Sequence, residues 1–310
     1  MTTARLPWIM GGASASVVLG LALAQLSLAP QTVTLLAAVA VLVFGIPHGA
    51  FDRISIQGPL RPSRDGLLAA LRFFLAYAAL AGAFAGFWLL VPQVALPAFL
   101  LLSVFHFGAG DCQDGPIWRR VLQLVAHGGA VVTLIPAFHP AEVTEIFGFL
   151  SDSGTARALV SGLSTALQIW LAVALIYSAF ALASRRHRWR AGELLVVAAG
   201  CALLPPMLGF LLYFTVFHGP RHLANVLDAD ALKREHNAAV LAEAGAISAI
   251  SLVAFVAIMA AGGDWLAAES TLRTLFIFLA ALTIPHMLLV DLGPLISARR
   301  SRPVPATGRA

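Results

Sequence analysis

Long apolar segments separated by short clusters of charged residues make up most of the chain. Asp, Glu, Lys and Arg are absent from Leu6 to Phe51, from Phe73 to Gly110 and from Leu194 to Phe217. A helix needs about 20 apolar residues to cross the hydrocarbon core of a bilayer. Because each of the first two stretches is long enough for two crossings, the pattern predicts an all-α, polytopic transmembrane helix bundle.

Successive apolar runs predict the helices in chain order. The runs extend over residues 6–29, 31–46, 67–91, 95–107, 121–138, 158–184, 194–217, 244–263 and 274–290. The first run is too long for the core of a signal peptide and further spans follow it, so we expect it to be retained. We expect one integral membrane domain over residues 1–310. Within it, residues 1–30 form a first helix outside the motif-bearing core, and residues 298–310 form a basic, disordered tail.

Loop charges predict the orientation of the helices. Cytoplasmic loops carry an excess of Lys and Arg. With the amino terminus inside, the arginine clusters at residues 53–64, 119–120 and 185–190 all fall on the cytoplasmic side, and an acidic loop at residues 142–152 falls outside. This distribution indicates a multi-pass protein of the cell inner membrane.

The seventh apolar run contains two adjacent prolines, Pro205 and Pro206. If this run crossed the bilayer, the basic tail and the histidine motif that follows the run would lie outside. A re-entrant hairpin that turns at the prolines keeps both inside, and we therefore predict about eight crossings plus one broken segment. A double proline can also kink a helix that does cross, so the alternative stays open.

Composition agrees with a membrane protein and excludes other classes. Hydrophobic residues make up 59% of the chain and charged residues 11%, whereas about one quarter of a soluble domain is charged. The net charge of +5 comes from short arginine clusters, which suit a cytoplasmic lipid surface better than nucleic acid. Cys112 and Cys201 have no metal-type spacing, so neither a disulfide scaffold nor a zinc cluster is predicted.

Five histidines lie at the ends of apolar runs. They occur in the motifs GIPHGAFD, SVFHFGAGD, FHGPRH and TIPHMLLVD, and they are His48, His106, His218, His222 and His286. Histidine is the commonest metal ligand, and ionisable residues in membrane segments usually mark functional sites. We therefore predict that these motifs share one metal site at the cytoplasmic face.

Three of the motifs carry an aspartate four or five residues after the histidine, namely Asp52, Asp111 and Asp291. On a helix this offset places the carboxylate about one turn from the imidazole, where it can orient a metal-binding histidine. An aspartate at a helix end can also be a solvated terminus. Recurrence of the pair in three motifs favours the orienting role.

Pro220 and His127 bear on the local geometry of the site. Proline fits the first turn of a helix but not its interior, so we expect His218 to precede a helix and His222 to lie within it. His127 lies in the fifth apolar run beside two glycines. It either approaches the metal site or packs between helices.

A cluster of imidazoles with few thiolates suits iron, copper or zinc, and open coordination positions would admit oxygen. A site at membrane depth selects a lipid-soluble substrate. The residues alone therefore predict oxidation of a lipid by non-haem iron.

The four motifs, in this order and on apolar segments, resemble the Brp/Blh family of bacterial β-carotene 15,15′-dioxygenases. The resemblance covers residues 42–291. It implies an Fe(II)-dependent enzyme that uses O₂ to cleave β-carotene into two retinal molecules in the membrane, which would supply a rhodopsin-type protein. Carried over by motif, the iron ligands would be His48, His106, His218 and His222, and the histidine of the fourth motif would be a fifth ligand or an outer partner.

Other functions remain compatible with these motifs. A histidine-box desaturase or hydroxylase would hold two irons and would need about eight histidines. A proton-coupled transporter would use intramembrane His and Asp as a relay and would work without metal. A third possibility is a member of the same family that cleaves another carotenoid.

Overall fold

The computed structural model of the protein describes residues 6–55, 67–111, 116–228, 237–262 and 267–292, and every secondary-structure element within them is a helix. The first helices are α1 (Leu6–Ala24), α2 (Pro30–Gly49), α3 (Asp52–Ser55), α4 (Leu67–Leu90), α5 (Pro92–Asp111), α6 (Ile117–Phe138), α7 (Pro140–Leu150) and α8 (Ser153–Leu182). They are followed by α9 (Arg188–Leu203), α10 (Pro206–Leu211), a π-helix (Leu212–His218), α11 (Gly219–Asp228), α12 (Asn237–Gly262), α13 (Ala268–Met287) and a π-helical turn (Leu288–Leu292). The predicted all-α class is confirmed.

Within these ranges, seven helices are long and apolar enough to cross a membrane: α2, α4, α5, α6, α8, α12 and α13. Helix α1 is also apolar, over the shorter stretch Trp8–Ala24. Seven long helices, one shorter apolar helix and a broken segment agree with the predicted polytopic bundle. The tail predicted at residues 298–310 lies outside the part that the structure describes.

Helix α6 lies at the centre of the bundle, and its middle turns are buried. Its backbone touches that of α5, because a β-carbon on Gly128 would collide with the carbonyl oxygen of Val104. A β-carbon on Gly108 of α5 would likewise collide with the backbone of Leu124. Close packing through small residues is typical of membrane helices. It fixes the end of α5 that carries His106 against the core.

The seventh apolar run is broken where the sequence predicts a break, since α9 and α10 lie on either side of Pro205. The two arms run antiparallel. Gly209 packs on Cys201 close to the turn, and Arg221 pairs with Glu193 near the other end of α9. The chain therefore returns to the end of the bundle at which α9 begins, and it carries the FHGPRH motif back with it.

The prediction of an acidic loop before the sixth run is wrong, because most of this segment forms helix α7. Val143, Phe147 and Leu150 recur at helical spacing and are buried, whereas Glu142 is exposed. The indole N–H of Trp88 donates a hydrogen bond to the carbonyl oxygen of Leu150 at 2.9 Å. This helix is amphipathic: its charged residues lie on the outer face, and its short apolar face packs on the bundle.

Helix α1 carries no histidine motif but packs against the segment that does. A β-carbon on Gly11 would lie 3.4 Å from the ring of Pro220. Helix α1 therefore packs against the π-helix and α11, next to the FHGPRH segment.

Candidate metal centre

All the motif histidines whose side chains the structure describes meet at one place in the bundle, which we call the histidine cluster: His106, His218, His222 and His286. Ring centroids are 4.9 Å apart for His106 and His218, 5.0 Å for His106 and His286, and 4.9 Å for His222 and His286. Three of the rings are buried and that of His222 is partly buried. They come from α5, the π-helix, α11 and α13, so the tertiary fold assembles a cluster from distant motifs.

A small cavity of about 20 Å³ lies between three of these rings, those of His106, His218 and His222. A void of this size holds about one water molecule, and it therefore has room for one ion. Imidazole nitrogens are donors that suit iron, copper and zinc. The residues present fit a single transition-metal ion.

Asp52 holds the fourth ring of the cluster. Its Oδ1 lies 2.7 Å from Nδ1 of His286, and the hydroxyl of Tyr77 donates to its Oδ2 at 3.0 Å. Asp52, His222 and His286 offer possible ligand atoms that all lie within 4.8 Å of one another. Since both carboxylate oxygens of Asp52 already have hydrogen-bond partners, this side chain is suited to orient His286. With Nδ1 held, Nε2 is the ring nitrogen that can bind a metal.

The partner of Asp52 comes from a different motif than the sequence spacing suggested. Helix α2 ends at Gly49 and α3 begins at Asp52. The four-residue offset from His48 therefore does not run along one continuous helix. Asp52 contacts a histidine of another motif, and its pairing with His48 stays a prediction. The role of Tyr77 was missed altogether, and the available signal was a lone phenol hydroxyl in a long uncharged run.

For three predicted site residues the structure describes the backbone but not the side chain: His48, Asp111 and Asp291. A β-carbon on Gly49 would lie 3.9 Å from Nδ1 of His286. A β-carbon on Gly110 would lie 4.0 Å from Cε1 of His218. The backbone at the first two of these positions therefore passes directly beside the histidine cluster.

A π-helical segment sets the direction of His218. The backbone N–H of Gly219 donates to the carbonyl oxygen of Phe214, five residues earlier. In an α-helix, a side chain four residues later in the chain is rotated by about 40° around the helix axis. A π-helical turn contains more residues, which reduces this rotation. Phe210, Phe214 and His218 consequently form one column, in which Phe214 stacks on Phe210 at 5.3 Å and on His218 at 5.9 Å.

His218 directly precedes α11 and His222 lies within it, as expected, but His218 is itself helical rather than part of a loop. His218 is the last residue of the π-helix, which continues directly into α11. In a regular α-helix the ring of Pro220 would clash with the carbonyl four residues earlier. The π-helical turn directly before Pro220 changes that geometry, and the proline is accommodated inside a continuous helical segment.

A second buried polar group, the ionic cluster, consists of Glu193, Arg190 and Arg221. Glu193 and Arg190 are each 8% exposed and approach to 3.4 Å, and Arg221 also pairs with Glu193. Burial lowers the pKa of Arg221 to about 10, so its guanidinium is charged at neutral pH. Because Arg221 also lines the small cavity beside His222, the ion pair fixes α11 and its histidine relative to α9. Sequence reasoning missed Glu193, a lone acid at the start of an apolar run.

His127 takes the packing role, one of the two roles that the sequence left open. It is buried in α6, and its ring meets that of Tyr177 edge-on at a centroid distance of 5.2 Å. Its charged neighbours are Glu193 and Arg190. His127 therefore belongs beside the ionic cluster.

Two larger apolar cavities adjoin the histidine cluster. The narrow cavity, of about 110 Å³, lies between α5, α6, α7, α10 and α13 and reaches His106. The wide cavity, of about 400 Å³, lies between α2, α4, α12 and α13 and reaches His286. Phe214, Leu279 and Thr283 line both cavities. The two cavities therefore lie on either side of these three shared residues, and each reaches one ring of the histidine cluster.

Comparison with known proteins assigns the chain to a family. The sequence model of the family described as beta-carotene 15,15'-dioxygenase matches residues 39–292, which contain all four motifs. The chain is 32% identical over 263 residues to the beta-carotene 15,15'-dioxygenase of uncultured marine bacterium 66A03, covering 82% of this chain and 92% of that protein. It is 26% identical over 324 residues to the probable beta-carotene 15,15'-dioxygenase Blh of Halobacterium salinarum, covering 93% of this chain and 92% of that protein.

No solved structure matches the chain at a significant level. The family assignment therefore depends on the sequence match, which spans most of the chain and includes the residues of the histidine cluster. The chain belongs to the β-carotene 15,15′-dioxygenase family and is a carotenoid dioxygenase.

Proposed function

We propose that the protein cleaves the central 15,15′ double bond of β-carotene with O₂ to give two molecules of retinal, at an Fe(II) ion bound by the histidine cluster. One observation carries this proposal: the rings of His106 and His286 lie 5.0 Å apart, and each reaches a different apolar cavity. A substrate that occupies both cavities presents its middle, rather than an end, to the histidines. Family membership supports a carotenoid as that substrate.

The residues proposed to hold the iron are His48, His106, His218 and His222, with His286 as a fifth ligand or an outer partner. Bound Fe(II) would supply the activation of O₂. Asp52 fixes the ring of His286 through Nδ1. A carboxylate in this position sets the tautomer and raises the basicity of the imidazole.

The chemistry needs no additional redox partner. One carbon–carbon double bond breaks, each of its carbons gains a bond to oxygen in an aldehyde, and one O₂ is consumed for each β-carotene. The substrate gains or loses no proton overall, so the site needs neither a general acid nor a general base. The contribution of the chain is to hold the polyene in place and to keep water away from reactive oxygen species.

Purified protein tests this proposal directly. Iron is quantified in protein prepared in detergent micelles, and the products formed from β-carotene are separated by chromatography. We expect one iron per chain and retinal as the product. Two irons per chain would support a histidine-box oxygenase instead, and an iron-loaded protein that forms no retinal from β-carotene would overturn the proposal.

We also propose that the chain is a multi-pass protein of the inner membrane with the histidine cluster at the cytoplasmic face. Arginine clusters at the loops and the reversal of the chain at Pro205 support this orientation. Single-cysteine variants of a chain lacking Cys112 and Cys201 provide the test. A thiol reagent that cannot cross membranes should label Asp152→Cys in intact cells, and Arg186→Cys only after lysis. The reverse pattern would contradict the orientation.

A further inference from the structure

Phe214 lies where the narrow and wide cavities meet. It lines both cavities, whereas His106 lines the narrow one and His286 the wide one. Its ring is also stacked on His218 with an interplanar angle of 13°. A rod-shaped molecule that occupied both cavities would therefore contact Phe214 next to the histidine cluster.

The position of the Phe214 ring is fixed by its neighbours. On one side it stacks on Phe210 at 5.3 Å, with an interplanar angle of 9°. At its edge the ring packs against α2 at Gly45, where an added β-carbon would collide with Cε1 of Phe214. Phe214 is only 8% exposed. The glycine and the aromatic column together hold the ring at the junction of the cavities.

We propose that Phe214, held in place by Gly45, determines which double bond of the polyene lies at the histidine cluster. This inference rests on the proposed cleavage of β-carotene. Neighbouring double bonds of a conjugated polyene are chemically similar, so electronic differences select the central bond only weakly. A fixed ring at the junction of the two cavities selects the central bond sterically. The polyene cannot slide past this ring without losing contacts in one of the cavities.

The test is the position of cleavage in Phe214→Leu. Off-centre cleavage consumes one O₂ as well, but it yields two aldehydes of unequal length in place of two retinals. We expect the share of unequal aldehydes to rise by about tenfold or more, since small changes in an apolar pocket alter discrimination by about 10- to 200-fold.

Phe214→Met, an unbranched replacement, serves if the leucine variant fails to fold, and iron content and elution volume monitor folding. Phe99→Leu is the matched aromatic control, because Phe99 lines the narrow cavity but not the wide one and its ring packs on Trp88 rather than on Phe214. Its products should stay central whatever its rate.

Gly45→Ala tests the same device from the opposite helix. The added methyl group displaces the Phe214 ring, so off-centre products should rise in this variant too. Gly82→Ala is its matched control, since a β-carbon there has no neighbour within 4 Å, and it should retain wild-type activity and products. Purely central products from both the Phe214 and the Gly45 variants, with wild-type protein forming retinal, would overturn this inference alone. Wild-type protein that forms no retinal would instead overturn the proposed function.

Discussion

The histidine cluster and the ionic cluster are both buried and polar, and the six residues of FHGPRH contribute to both. His218 and His222 belong to the first cluster and Arg221 to the second. Imidazoles are neutral ligands beside a cavity with room for an ion, whereas Glu193 and its two arginines compensate one another by charge. One short motif therefore contributes to the proposed metal site and to the packing of α11 on α9. Loss of a histidine should remove the metal before it affects folding, and loss of Glu193 should do the reverse.

His218→Ala should have the largest effect on metal binding. Loss of an outer partner of a metal ligand weakens binding by about 10- to 100-fold, and loss of a ligand should exceed that range. Iron content and retinal formation should fall together while the metal-free variant keeps its elution volume in detergent. His187→Ala is a control outside the histidine cluster. Full iron content and activity in the His218 variant would exclude this cluster as the metal site.

Glu193→Ala should have the largest effect on folding. It leaves the buried Arg190 and the partly buried Arg221 without the carboxylate they share. Breaking one side of a buried ion pair costs about 3–5 kcal/mol. We expect a clearly lower thermal unfolding midpoint in detergent, measured by circular dichroism on metal-free protein. Glu142→Ala, on the exposed face of α7, is the matched control and should unfold like the wild type. A variant of Glu193 with normal stability but no iron would place this residue in the metal site instead.

Asp52→Asn alters the histidine cluster without removing a ring. Asparagine keeps the shape of the side chain but loses the negative charge that faces Nδ1 of His286. Iron affinity should fall by about 10- to 100-fold, measured by titration of metal-free protein against a competing chelator. The unfolding midpoint should fall less than in Glu193→Ala. Unchanged iron affinity would show that Asp52 does not act through His286.

Hydrophobic patterning predicted the fold well because each span is a local run of sequence. Uncharged stretches located the long helices, and Pro205 located the reversal. Helix α7 was missed because its apolar face has only three buried side chains, Val143, Phe147 and Leu150. A short amphipathic helix with charges on its outer face resembles a loop when only polarity is considered.

The site was predictable only in part, because its contacts are long-range. Motif spacing identified His106, His218, His222 and His286, which the fold brings together. It could not identify the partner of Asp52, which lies in a helix near the other end of the chain. Nor could it predict the π-helix, since that geometry depends on how Pro220 fits between two continuous helical segments. Residues that act by holding another residue leave almost no trace in a single sequence.

Tyr77→Phe should lower iron affinity by the smallest amount that still distinguishes the histidine cluster from the ionic cluster. The change removes only the hydroxyl that donates to Oδ2 of Asp52, and the ring that lines the wide cavity remains. The hydroxyl also lies 3.0 Å from the carbonyl oxygen of Leu282, so Tyr77 reaches the metal site only indirectly, through Asp52 and the backbone of the helix that carries His286. Iron affinity should therefore fall by less than the roughly tenfold lower bound for a direct outer partner. Tyr177→Phe is the matched control, since its ring packs on His127 beside the ionic cluster, and it should leave iron affinity unchanged. Equal losses of iron affinity in both variants would mean that the two clusters act as one connected unit, and Arg221, which lines the small cavity and pairs with Glu193, would then be the connection between them.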